Sequence, residues 1–496
     1  MLTADTLTAL KLDPAAPLPL FRQLYEAIKQ AVLDGRLSPG TRLPPTRALA
    51  GRLAVSRQTV LSAYEQLTAE GYLAGTVGRG TFVAAHLPGA TPFAPPAHDA
   101  PLRPLSARGM QFHDSAPLNT HAGRARAFRI GMSGADCFPF DVWARLQARH
   151  WRRPRVDLGY ADPAGFKPLR ELLATYLRAS RGVHCAPEQV IVTSGSQQGL
   201  FLVASLLLAP GDSAWVECPG YPGTCAALRS VGARIVPVPV DAHGMDVAEG
   251  IRRAPRAGLA YVTPSHQYPL GATMSLSRRL QLLAHAAERR MWIVEDEYDS
   301  EYRYTGPPIA SLQSMDQAGA VIYVGTLSKV LFPGLRLGYL VVPPPLIEAF
   351  TRGKAAIDRH SATVTQAVVA DFMADGHFGR HIRRTRELYA ERREAFLAAF
   401  DDHLAEHLVP GPADAGMHVA TALRGGGDDA ALARKADAAG VEVRALSPFY
   451  AGTGVKAGSV VPPGLLLGYA AVTPDEIRAA AATLGRVLRD RRTWRP

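Results

Sequence analysis

The stretch VGTLSKVLFPGLRLGYLV, residues 324–341, places a lysine where an apolar strand ends and an arginine seven residues later, behind a Pro-Gly turn. Lys329 lies among Val, Leu and Phe, where a charged amine is costly to keep unless it is paired or used. Since burial favours the neutral amine, this lysine is predicted to form a Schiff base with an aldehyde, rather than to be a surface lysine with its amine in water. Thr326 and Ser328 are two residues apart and face one side, where Arg336 can join them in binding a phosphate.

Two other predicted strands end in polar groups suited to the same ligand. The strand before the acidic run VEDEYDSEY delivers Asp296 and Tyr298, which share a face if the chain stays extended. The predicted strand Val190–Thr193 runs into a Ser-Gly-Ser turn that opens an apolar helix, where free backbone N–H groups and the helix dipole favour a phosphate. Ser196 and Gln197 would contribute those N–H groups. An ordinary loop is the alternative interpretation of this turn.

The acidic run that follows the predicted strand Met291–Val294 also has two interpretations. An exposed acidic loop is favoured for Glu295 and Glu301, whereas Asp296 lies at the carboxyl end of a parallel strand, where ligands bind in open α/β folds. An aldehyde, a phosphate and a ring nitrogen that needs a carboxylate together describe pyridoxal 5'-phosphate (PLP). Asp296 would keep the pyridinium protonated and Tyr298 would hydrogen-bond the ring hydroxyl, so the sequence predicts PLP as the cofactor.

The chain separates into three regions by composition. Its 496 residues suggest more than one domain. Residues 1–84 are dense in short helical patterns, and residues 85–126 are rich in Pro and Ala without a sustained period, which predicts a semi-extended linker. From 127 to 496, strand-like and helical runs alternate, which predicts an α/β domain with a mainly parallel sheet.

Composition excludes some functional classes. The longest apolar run, Leu200–Ala209, is too short to span a membrane, and the start of the chain lacks the features of a signal peptide. A cytoplasmic protein without a membrane partner is therefore expected. The four cysteines (Cys137, Cys185, Cys218 and Cys225) have no CxxC spacing and are predicted to be buried free thiols, and no metal site is predicted. The net charge of +11 favours a polyanionic partner or a solvated basic surface.

Residues 1–84 have helical patterns with turn signals between them. One apolar face of the first predicted helix consists of Leu20, Leu24, Ile28 and Val32. Two further helices are predicted on either side of residues 53–56, with Thr46 and Ser56 as their N-terminal caps. The glycine-rich GYLAGTVGRGTFV that follows is predicted to form a hairpin whose turn presents Arg79. Two helices followed by such a hairpin are the pattern of a winged helix-turn-helix.

The charges of this region favour binding to double-stranded DNA. Residues 36–83 hold six arginines and no lysine, against two glutamates. Side chains at the start of the second of the paired helices reach base edges in the major groove, and arginines elsewhere suit phosphates or the minor groove. The predicted DNA contacts are Arg42, Thr46, Arg47, Ser56, Arg57, Gln58, Thr59, Tyr64 and Arg79. A helical hairpin with a solvated basic face is the alternative. The segment 18–84 resembles the GntR-type winged-helix domain, with Pro45-Thr46 where that family usually has Pro-Ser.

Residues 127–490 resemble the fold-type I aminotransferases, which have a large domain and a smaller C-terminal subdomain. The matching motifs are TSGSQQGL (193–200), VEDEY (294–298) and SKVLFPGLRLGY (328–339). The resemblance implies that Tyr221, in ECPGYPG, stacks on the cofactor ring. In TPSHQYPLG, a His-Gln-Tyr replaces the expected Asn-Pro, so either His266 or Tyr268 would contact the cofactor there. Tyr160 matches a residue that reaches a phosphate across the interface of the family's dimers.

A winged helix, a linker and an aminotransferase-like domain in this order resemble the MocR-type regulators. The resemblance implies a PLP-bound homodimer that senses PLP itself, an amine or an amino acid and binds operator DNA accordingly. A working aminotransferase with an incidental winged helix is one alternative, and residual transamination through Lys329 is compatible with either. A DNA-binding protein whose large domain is only a dimer platform is another alternative.

Two departures from the aminotransferase pattern concern the effector. Leu466, in GLLLGYAAV, stands where an arginine usually binds the substrate carboxylate. Gly223 is small where some regulators that sense amino acids have an arginine. Arg444, in VEVRALSPF, is a candidate to substitute for the missing cation.

Overall fold

The structure, a computed structural model, describes residues 12–76, 80–87, 104–115, 125–152, 159–306, 309–451 and 462–490. By its internal contacts the chain divides into two units, residues 1–104 and 105–496. Within the described residues, no helix has both the length and the apolar composition needed to cross a membrane.

The first unit is a winged helix-turn-helix. Its elements are α1 (Leu20–Leu33), α2 (Thr46–Leu53), α3 (Arg57–Ala69), β1 (Leu73–Thr76) and β2 (Gly80–Val83). The two strands form an antiparallel ladder from the pair Leu73–Val83 to the pair Thr76–Gly80. The three helices enclose one apolar core, to which β1 and β2 contribute Leu73 and Val83. The helix-turn-helix and wing that the sequence predicts are therefore both present.

Local signals in the first unit are mostly confirmed. The predicted apolar face of α1 is buried at Leu24, Ile28 and Val32, while Leu20 is half-buried. Ser56 caps α3, since its Oγ accepts the backbone N–H of Thr59 at 3.0 Å. The predicted cap of α2 is wrong: Thr46 is already the first helical residue, and the N-cap residue Pro45 makes no side-chain capping bond.

The second unit contains a large α/β part and a smaller C-terminal part. Its helices are α4 (Ala107–Ser115), α5 (Phe140–Arg152), α6 (Lys167–Arg181), α7 (Ser196–Leu207), α8 (Pro222–Ser230), α9 (Val247–Arg253), α10 (Leu276–Arg289), α11 (Ile347–Asp358), α12 (Thr363–Ala374), α13 (His377–His403), α14 (Asp429–Ala438), α15 (Ser447–Ala451) and α16 (Pro474–Arg489). Its strands are β3 (Val190–Thr193), β4 (Ser213–Cys218), β5 (Arg234–Asp241), β6 (Gly244–Met245), β7 (Leu259–Val262), β8 (Trp292–Glu297), β9 (Val321–Thr326), β10 (Gly338–Val341), β11 (Leu408–Pro410), β12 (His418–Leu423), β13 (Arg444–Ala445) and β14 (Gly464–Gly468).

The large sheet orders its eight described strands β3-β10-β9-β8-β7-β4-β5-β6. The pairs from β9 through β8, β7 and β4 to β5 are parallel, whereas β10 is antiparallel to both of its neighbours and β6 is antiparallel to β5. All strands except β10 and β6 therefore run in one direction, which confirms the mainly parallel sheet. Strands β3, β7, β9 and β10 are buried along their whole length, as expected when both faces of a parallel sheet are covered.

The smaller C-terminal part is built on an antiparallel sheet, in the order β11-β12-β14-β13. One face of this sheet packs on α13 and α16, in a core that includes Phe396, Leu465 and Leu484. Of the four free cysteines, Cys218 is half-buried and the other three are buried as predicted.

Within the predicted linker 85–126, the segment Ala107–Ser115 is helical rather than semi-extended. Residues 105–115 belong to the second unit and contain α4, which packs against α8. The Arg108 guanidinium donates to the carbonyl oxygen of Ser230 at 2.7 Å, and the rings of Phe112 and Phe201 are 6.2 Å apart. These tertiary contacts order a segment whose Pro- and Ala-rich surroundings show no helical period.

Candidate cofactor site and nucleic-acid interface

The candidate cofactor site lies at the carboxyl edge of the large sheet. Strand β3 ends in the Ser194-Gly195 turn, β8 carries Asp296 near its end, and β9 ends at Thr326. Because these strands run in the same direction, their carboxyl ends lie at one edge, where open α/β sheets bind ligands. The ends of β3, β8 and β9, with Ser194, Asp296 and Thr326, therefore lie at the same edge of the sheet.

Lys329 is held with its amine directed at backbone. Its Nζ donates to the carbonyl oxygen of Gly131 at 2.8 Å. Gly131 has a φ of +75°, a conformation that favours glycine, and a Cβ there would lie 2.9 Å from that Nζ. Burial lowers the pKa of Lys329, although the carboxylates of Asp299 and Asp296 oppose the shift. The lowered pKa makes the neutral, nucleophilic amine more available.

Asp296 has one carboxylate oxygen engaged and one free for a ligand. Its Oδ2 accepts the Tyr261 hydroxyl at 2.7 Å. Its Oδ1 is buried and has no hydrogen-bond partner among the described residues. Burial raises the pKa of Asp296 to about 7, with a smaller contribution from Glu297. A buried carboxylate oxygen without a partner is the group that a protonated ring nitrogen requires.

The predicted phosphate cradle combines a helix N-terminus with a buried hydroxyl. Helix α7 begins at Ser196, directly after Gly195, whose φ is +87°. The turn packs closely on β10, because a Cβ on Gly338 would lie 2.8 Å from the Ser196 nitrogen. Ser328 Oγ is buried without a partner in the described part of the chain, and its backbone N–H donates to Thr326 Oγ1 at 3.1 Å.

Arg336 lies over the same turn. Its guanidinium donates to the carbonyl oxygen of Ser194 at 3.3 Å and is otherwise exposed. A Cβ on Gly195 would approach that guanidinium to 3.0 Å. The backbone N–H groups at the start of α7, the Ser328 hydroxyl and the Arg336 guanidinium are a set of donors that fits the phosphate of PLP.

Tyr221 and Gln197 form one side of the site. The Tyr221 hydroxyl donates to Gln197 Oε1 at 3.3 Å, and Gln197 Nε2 donates to the carbonyl oxygen of Gly223 at 2.8 Å. A Cβ on Gly223 would lie 2.3 Å from Gln197 Oε1 and 2.5 Å from the Tyr221 ring. The small residue at position 223 is therefore required by the packing of these two side chains.

His266 contacts Tyr298. The Tyr298 hydroxyl lies 2.8 Å from His266 Nδ1, which is also 3.1 Å from both carboxylate oxygens of Asp299. The ring is tightly enclosed, since a Cβ on Gly416 would lie 2.1 Å from its Cε1. The Tyr268 ring packs edge-on against Tyr298, with centroids 5.5 Å apart. Both alternatives from the sequence thus adjoin Tyr298, and the contact of His266 is placed to orient the Tyr298 hydroxyl.

The acidic run is not an exposed loop, which corrects the interpretation favoured for Glu295 and Glu301. Strand β8 continues through it to Glu297. Glu295 is fully buried and accepts the backbone N–H groups of residues 312 and 313 at 2.6 and 2.8 Å. Glu301 is half-buried and accepts the Tyr176 hydroxyl at 2.8 Å. Burial raises the pKa of both carboxyls. Tertiary partners, which local composition does not reveal, keep this segment in the core.

The start of α3 presents the predicted DNA-contacting side chains. Arg57 and Gln58 are exposed, while Thr59 is half-buried with its Oγ1 2.8 Å from Ser56 Oγ. Arg47 is exposed on α2. These residues form an exposed polar and basic surface at the N-terminus of the helix that would enter the major groove.

The wing contributes a second basic position. Arg42 is exposed, pairs with Phe82 in a β-bridge, and has its guanidinium within 3.2 Å of the position of a Cβ on Gly80. Arg79 lies outside the described residues. Tyr64 is a correction to the predicted DNA contacts: it is only 4% exposed, and its hydroxyl donates to the carbonyl oxygen of Pro44 at 3.0 Å. Tyr64 therefore belongs to the core of the winged helix.

Comparisons with known proteins cover both units. The family model for GntR-family bacterial regulatory proteins matches residues 20–83, and the model for class I and II aminotransferases matches residues 133–484. The probable rhizopine catabolism regulatory protein MocR of Rhizobium meliloti is 42% identical over 96% of this chain and 95% of that protein. This chain belongs to the MocR-type transcriptional regulators.

Further relatives of this MocR-type chain include regulators and aminotransferases. The HTH-type pyridoxine biosynthesis transcriptional regulator PdxR of Corynebacterium glutamicum is 31% identical over 95% of this chain and 97% of its own length. The kynurenine aminotransferase of Pyrococcus horikoshii, solved in complex with PMP, superposes with a TM-score of 0.68 at 28% identity, covering 74% of this chain and 92% of that one. LysN, the α-aminoadipate aminotransferase of Thermus thermophilus, solved with N-(5'-phosphopyridoxyl)-L-leucine, superposes with a TM-score of 0.67 at 30% identity. The match covers 73% of this chain and 91% of that one. The cofactor of this MocR-type regulator is pyridoxal 5'-phosphate, which the free groups of Asp296 and Ser328 fit.

Some predicted positions do not meet the rest of the site within one chain. Tyr160 is 80% exposed, with the guanidinium of Arg359 4.5 Å from its ring centroid. Its contact with a phosphate across a dimer interface stays a prediction. Leu466 is fully buried in an apolar cluster and offers no polar group to a ligand.

The structure adds supporting residues that the sequence analysis missed. Gln198 Oε1 accepts the backbone N–H of Ser194 at 2.7 Å, and its Nε2 donates to Asp358 Oδ2 at 2.7 Å. Asp358 in turn pairs with the fully buried Lys354 at 2.7 Å. This network stabilises the turn that precedes α7. In the sequence, Lys354 and Asp358 look like a surface pair, because they are four residues apart on a predicted helix. Tyr261 looks like an ordinary core residue of β7. No local signal therefore marked these residues as part of the site.

Proposed function

We propose that this chain binds operator DNA through its first unit and that an amino compound, or PLP itself, captured at Lys329 changes that binding. One observation carries the proposal. A half-buried lysine with a lowered pKa lies at the same sheet edge as an unpartnered Asp296 oxygen and Ser328 hydroxyl, in a chain that also exposes Arg57 and Gln58 at the start of its recognition helix. A catalytic step does not require a DNA-binding helix, whereas a sensor that controls transcription does.

Each residue of the site has a role toward the cofactor. Lys329 is its covalent attachment point, and the turn before α7 binds its phosphate together with Ser328 and Arg336. Asp296 holds a proton on the ring nitrogen, and Tyr298 orients the ring hydroxyl. When bound, PLP supplies an electrophilic carbon to which an incoming amine can attach in place of the lysine.

The regulator acts as a homodimer in this proposal. Tyr160 is compatible with it, because its ring is 80% exposed, with the Arg359 guanidinium 4.5 Å from the ring centroid, and is accessible to a second subunit. In the dimer, Tyr160 reaches the phosphate bound by the other subunit. Two winged helices then read two half-sites of one operator.

Transamination is a second candidate function, because the set of Lys329, Asp296 and phosphate-binding groups is complete. Released Lys329 would act as the proton carrier. Turnover of amino and keto acids at enzyme-like rates, of about 1–1000 per second, would favour this candidate. Slow, single-turnover conversion would leave the regulatory function as the main one.

The proposal is tested with the purified protein and with DNA sequences that the protein selects from a random pool. We expect a visible absorbance band that Lys329→Ala changes, and a DNA affinity that Arg57→Ala lowers by about 1–3 kcal/mol. Arg22→Ala is the matched control, because Arg22 lies on α1 and pairs with Glu26. A colourless protein, or equal DNA affinity for the wild type and Arg57→Ala, contradicts the proposal.

A further inference from the structure

A buried carboxylate lies behind the tyrosine that faces the cofactor's ring hydroxyl. Asp299 directly follows Tyr298 and is only 2% exposed, and both of its carboxylate oxygens lie 3.1 Å from Nδ1 of the buried His266. The same Nδ1 lies 2.8 Å from the Tyr298 hydroxyl. One imidazole nitrogen therefore connects a carboxylate, which only accepts hydrogen bonds, to a hydroxyl, which can accept or donate.

The contact with Asp299 decides which nitrogen of His266 carries hydrogen. A nitrogen this close to two carboxylate oxygens must donate to them, because its bare lone pair would be repelled. Nδ1 therefore carries hydrogen whether the imidazole is neutral or protonated. Nε2 is buried and has no partner in the described part of the chain, which disfavours a hydrogen on that nitrogen. A neutral imidazole with its hydrogen on Nδ1 fits the surroundings of both nitrogens.

This assignment leaves the hydrogen of the Tyr298 hydroxyl free for a ligand. Because Nδ1 of His266 is a donor, the Tyr298 oxygen accepts from it and the hydroxyl cannot donate to it. Among the described residues, the hydroxyl has no second hydrogen-bond partner. The ring oxygen of PLP, which Tyr298 contacts in the proposed function, is then the acceptor that it meets.

The imidazole of His266 is also fixed in its orientation. A Cβ on Gly271 would lie 3.2 Å from Nε2, and a Cβ on Gly416 would overlap the ring. The carbonyl oxygen of Gly416 accepts the hydroxyls of Tyr304 and Tyr469, both at 2.7 Å. Backbone that is itself held in place thus encloses the ring and leaves it little room to turn and exchange its nitrogens.

Two further titratable groups pack on this network. The His418 ring of β12 lies 5.6 Å from the ring of His266, and the Tyr268 ring lies 5.5 Å from that of Tyr298. Burial lowers the pKa of His418 to about 4 and raises the pKa of Tyr268. Both groups are therefore neutral near pH 7 and do not add a charge there.

The charge of Asp299 also acts directly on the reactive amine. Burial lowers the pKa of Lys329 and the charge of Arg336 adds to this effect, whereas the charges of Asp299 and Asp296 oppose it. Asp296 is paired with the ring nitrogen in the proposed function. If Asp299 acted by its charge alone, removing that charge would make the group at Lys329 lose its proton at a lower pH.

We propose that Asp299 is a positioning residue of the cofactor site: it keeps hydrogen on His266 Nδ1, so that the Tyr298 hydroxyl donates to the ring oxygen of PLP. A hydrogen bond donated to that oxygen stabilises its negative charge and weakens its hold on the proton that it shares with the Lys329 linkage. Through this chain of contacts Asp299 lowers the pH at which the linkage loses its proton, opposite to the direct effect of its charge. The inference rests on the proposed function and deepens it.

The test titrates the visible band of the PLP-bound protein with pH. Tyr298→Phe should raise the midpoint by about 1–2 pH units, because a hydrogen bond to a charged oxygen is lost. In Asp299→Asn, the amide donates to Nδ1, which becomes an acceptor, and the Tyr298 hydroxyl is drawn to His266. The midpoint should then rise by about 0.5–1.5 pH units. In the Tyr298→Phe background, Asp299→Asn should cause no rise.

Glu301→Gln is the control, because it removes a carboxylate from the same acidic run whose partner is the Tyr176 hydroxyl at 2.8 Å. Its midpoint should equal that of the wild type. A midpoint that falls or stays unchanged in Asp299→Asn overturns the inference. An equal rise with and without the Tyr298 hydroxyl also overturns it, because Asp299 would then act by another route.

A second measurement needs neither PLP nor the Asp299 variant. Nitrogen-15 spectra of the histidine-labelled wild type, with the His266 signals assigned by their loss in His266→Asn, should show hydrogen on Nδ1. A bare Nδ1 overturns the inference. A protein that shows no visible band with PLP contradicts the proposed function instead, so the two failures are distinguishable.

Discussion

At the scale of single residues, the site is recognisable by polar atoms that the folded chain leaves without partners. Asp296 Oδ1 and Ser328 Oγ are both buried and have no partner among the described residues. Leaving a buried polar atom unpaired costs about 1–3 kcal/mol, so a ligand that pairs both atoms recovers this energy. The sequence predicted Lys329, Asp296 and Ser328 because each is a polar residue at or near the end of an apolar strand. It could not predict Tyr261, since a tyrosine in an apolar strand has the same pattern whether or not its hydroxyl meets a carboxylate.

The pKa of Asp296 leads to a prediction for the PLP-free protein. The raised folded pKa of about 7, against about 3.9 in the unfolded chain, means that the folded state binds the extra proton between these values. The carboxyl therefore destabilises the fold as pH rises from about 4 to about 7. We expect the free energy of unfolding of the wild type, relative to Asp296→Asn, to fall by up to about 4 kcal/mol over this range. Denaturant unfolding at several pH values measures it, and a constant difference would contradict the assignment.

At the scale of elements, close packing between β10 and the turn before α7 shapes the phosphate cradle. Strand ends and the glycine turn were predictable, because apolar runs and Gly-Ser signals are local. The burial of the end of β8 was not, since Glu295 depends on N–H groups from residues far along the chain. Helix α4 was missed for the same reason, because its contacts with Ser230 and Phe201 are tertiary.

Substitution of Gly338 tests whether its close packing on the turn before α7 shapes the phosphate-binding groups. A Cβ there would lie 2.8 Å from both Gly195 C and Ser196 N, so Gly338→Ala must displace backbone. We expect a loss of about 1–3 kcal/mol in the free energy of unfolding and weaker binding of PLP. Gly379→Ala is the matched control, because a Cβ in that position of α13 meets nothing within 4 Å. It should raise stability by about 0.5–1 kcal/mol and leave PLP binding unchanged. Equal effects of the two substitutions would argue against the cradle.

At the scale of the whole molecule, helix α4 lies in the sequence between the winged helix and the α/β part that carries the cofactor site. Helix α4 follows the first unit in sequence and contacts α7 and α8 through Phe112 and Arg108. The N-termini of α7 and α8 carry the phosphate turn and adjoin Tyr221. A displacement of either helix on ligand binding would therefore reach α4.

Arg108→Ala tests this connection. Removing its bond to the Ser230 carbonyl should weaken the docking of α4 without touching either site. We expect the effector-induced change in DNA affinity to fall about 2- to 10-fold, with the visible band and the effector-free DNA affinity unchanged. Fluorescence anisotropy with labelled operator measures it, and Arg478→Ala on α16 serves as the control. A full effector response in Arg108→Ala would exclude α4 from the coupling.

The central claim is that Lys329 serves to sense. The most direct measurement titrates one sample of protein and labelled operator with an amino compound that changes the visible band, recording absorbance and anisotropy together. For the wild type, we predict that both signals change with the same midpoint, and that Lys329→Ala abolishes both changes while still binding operator. An operator affinity that stays constant as the visible band changes, or that responds equally in Lys329→Ala, would contradict the account.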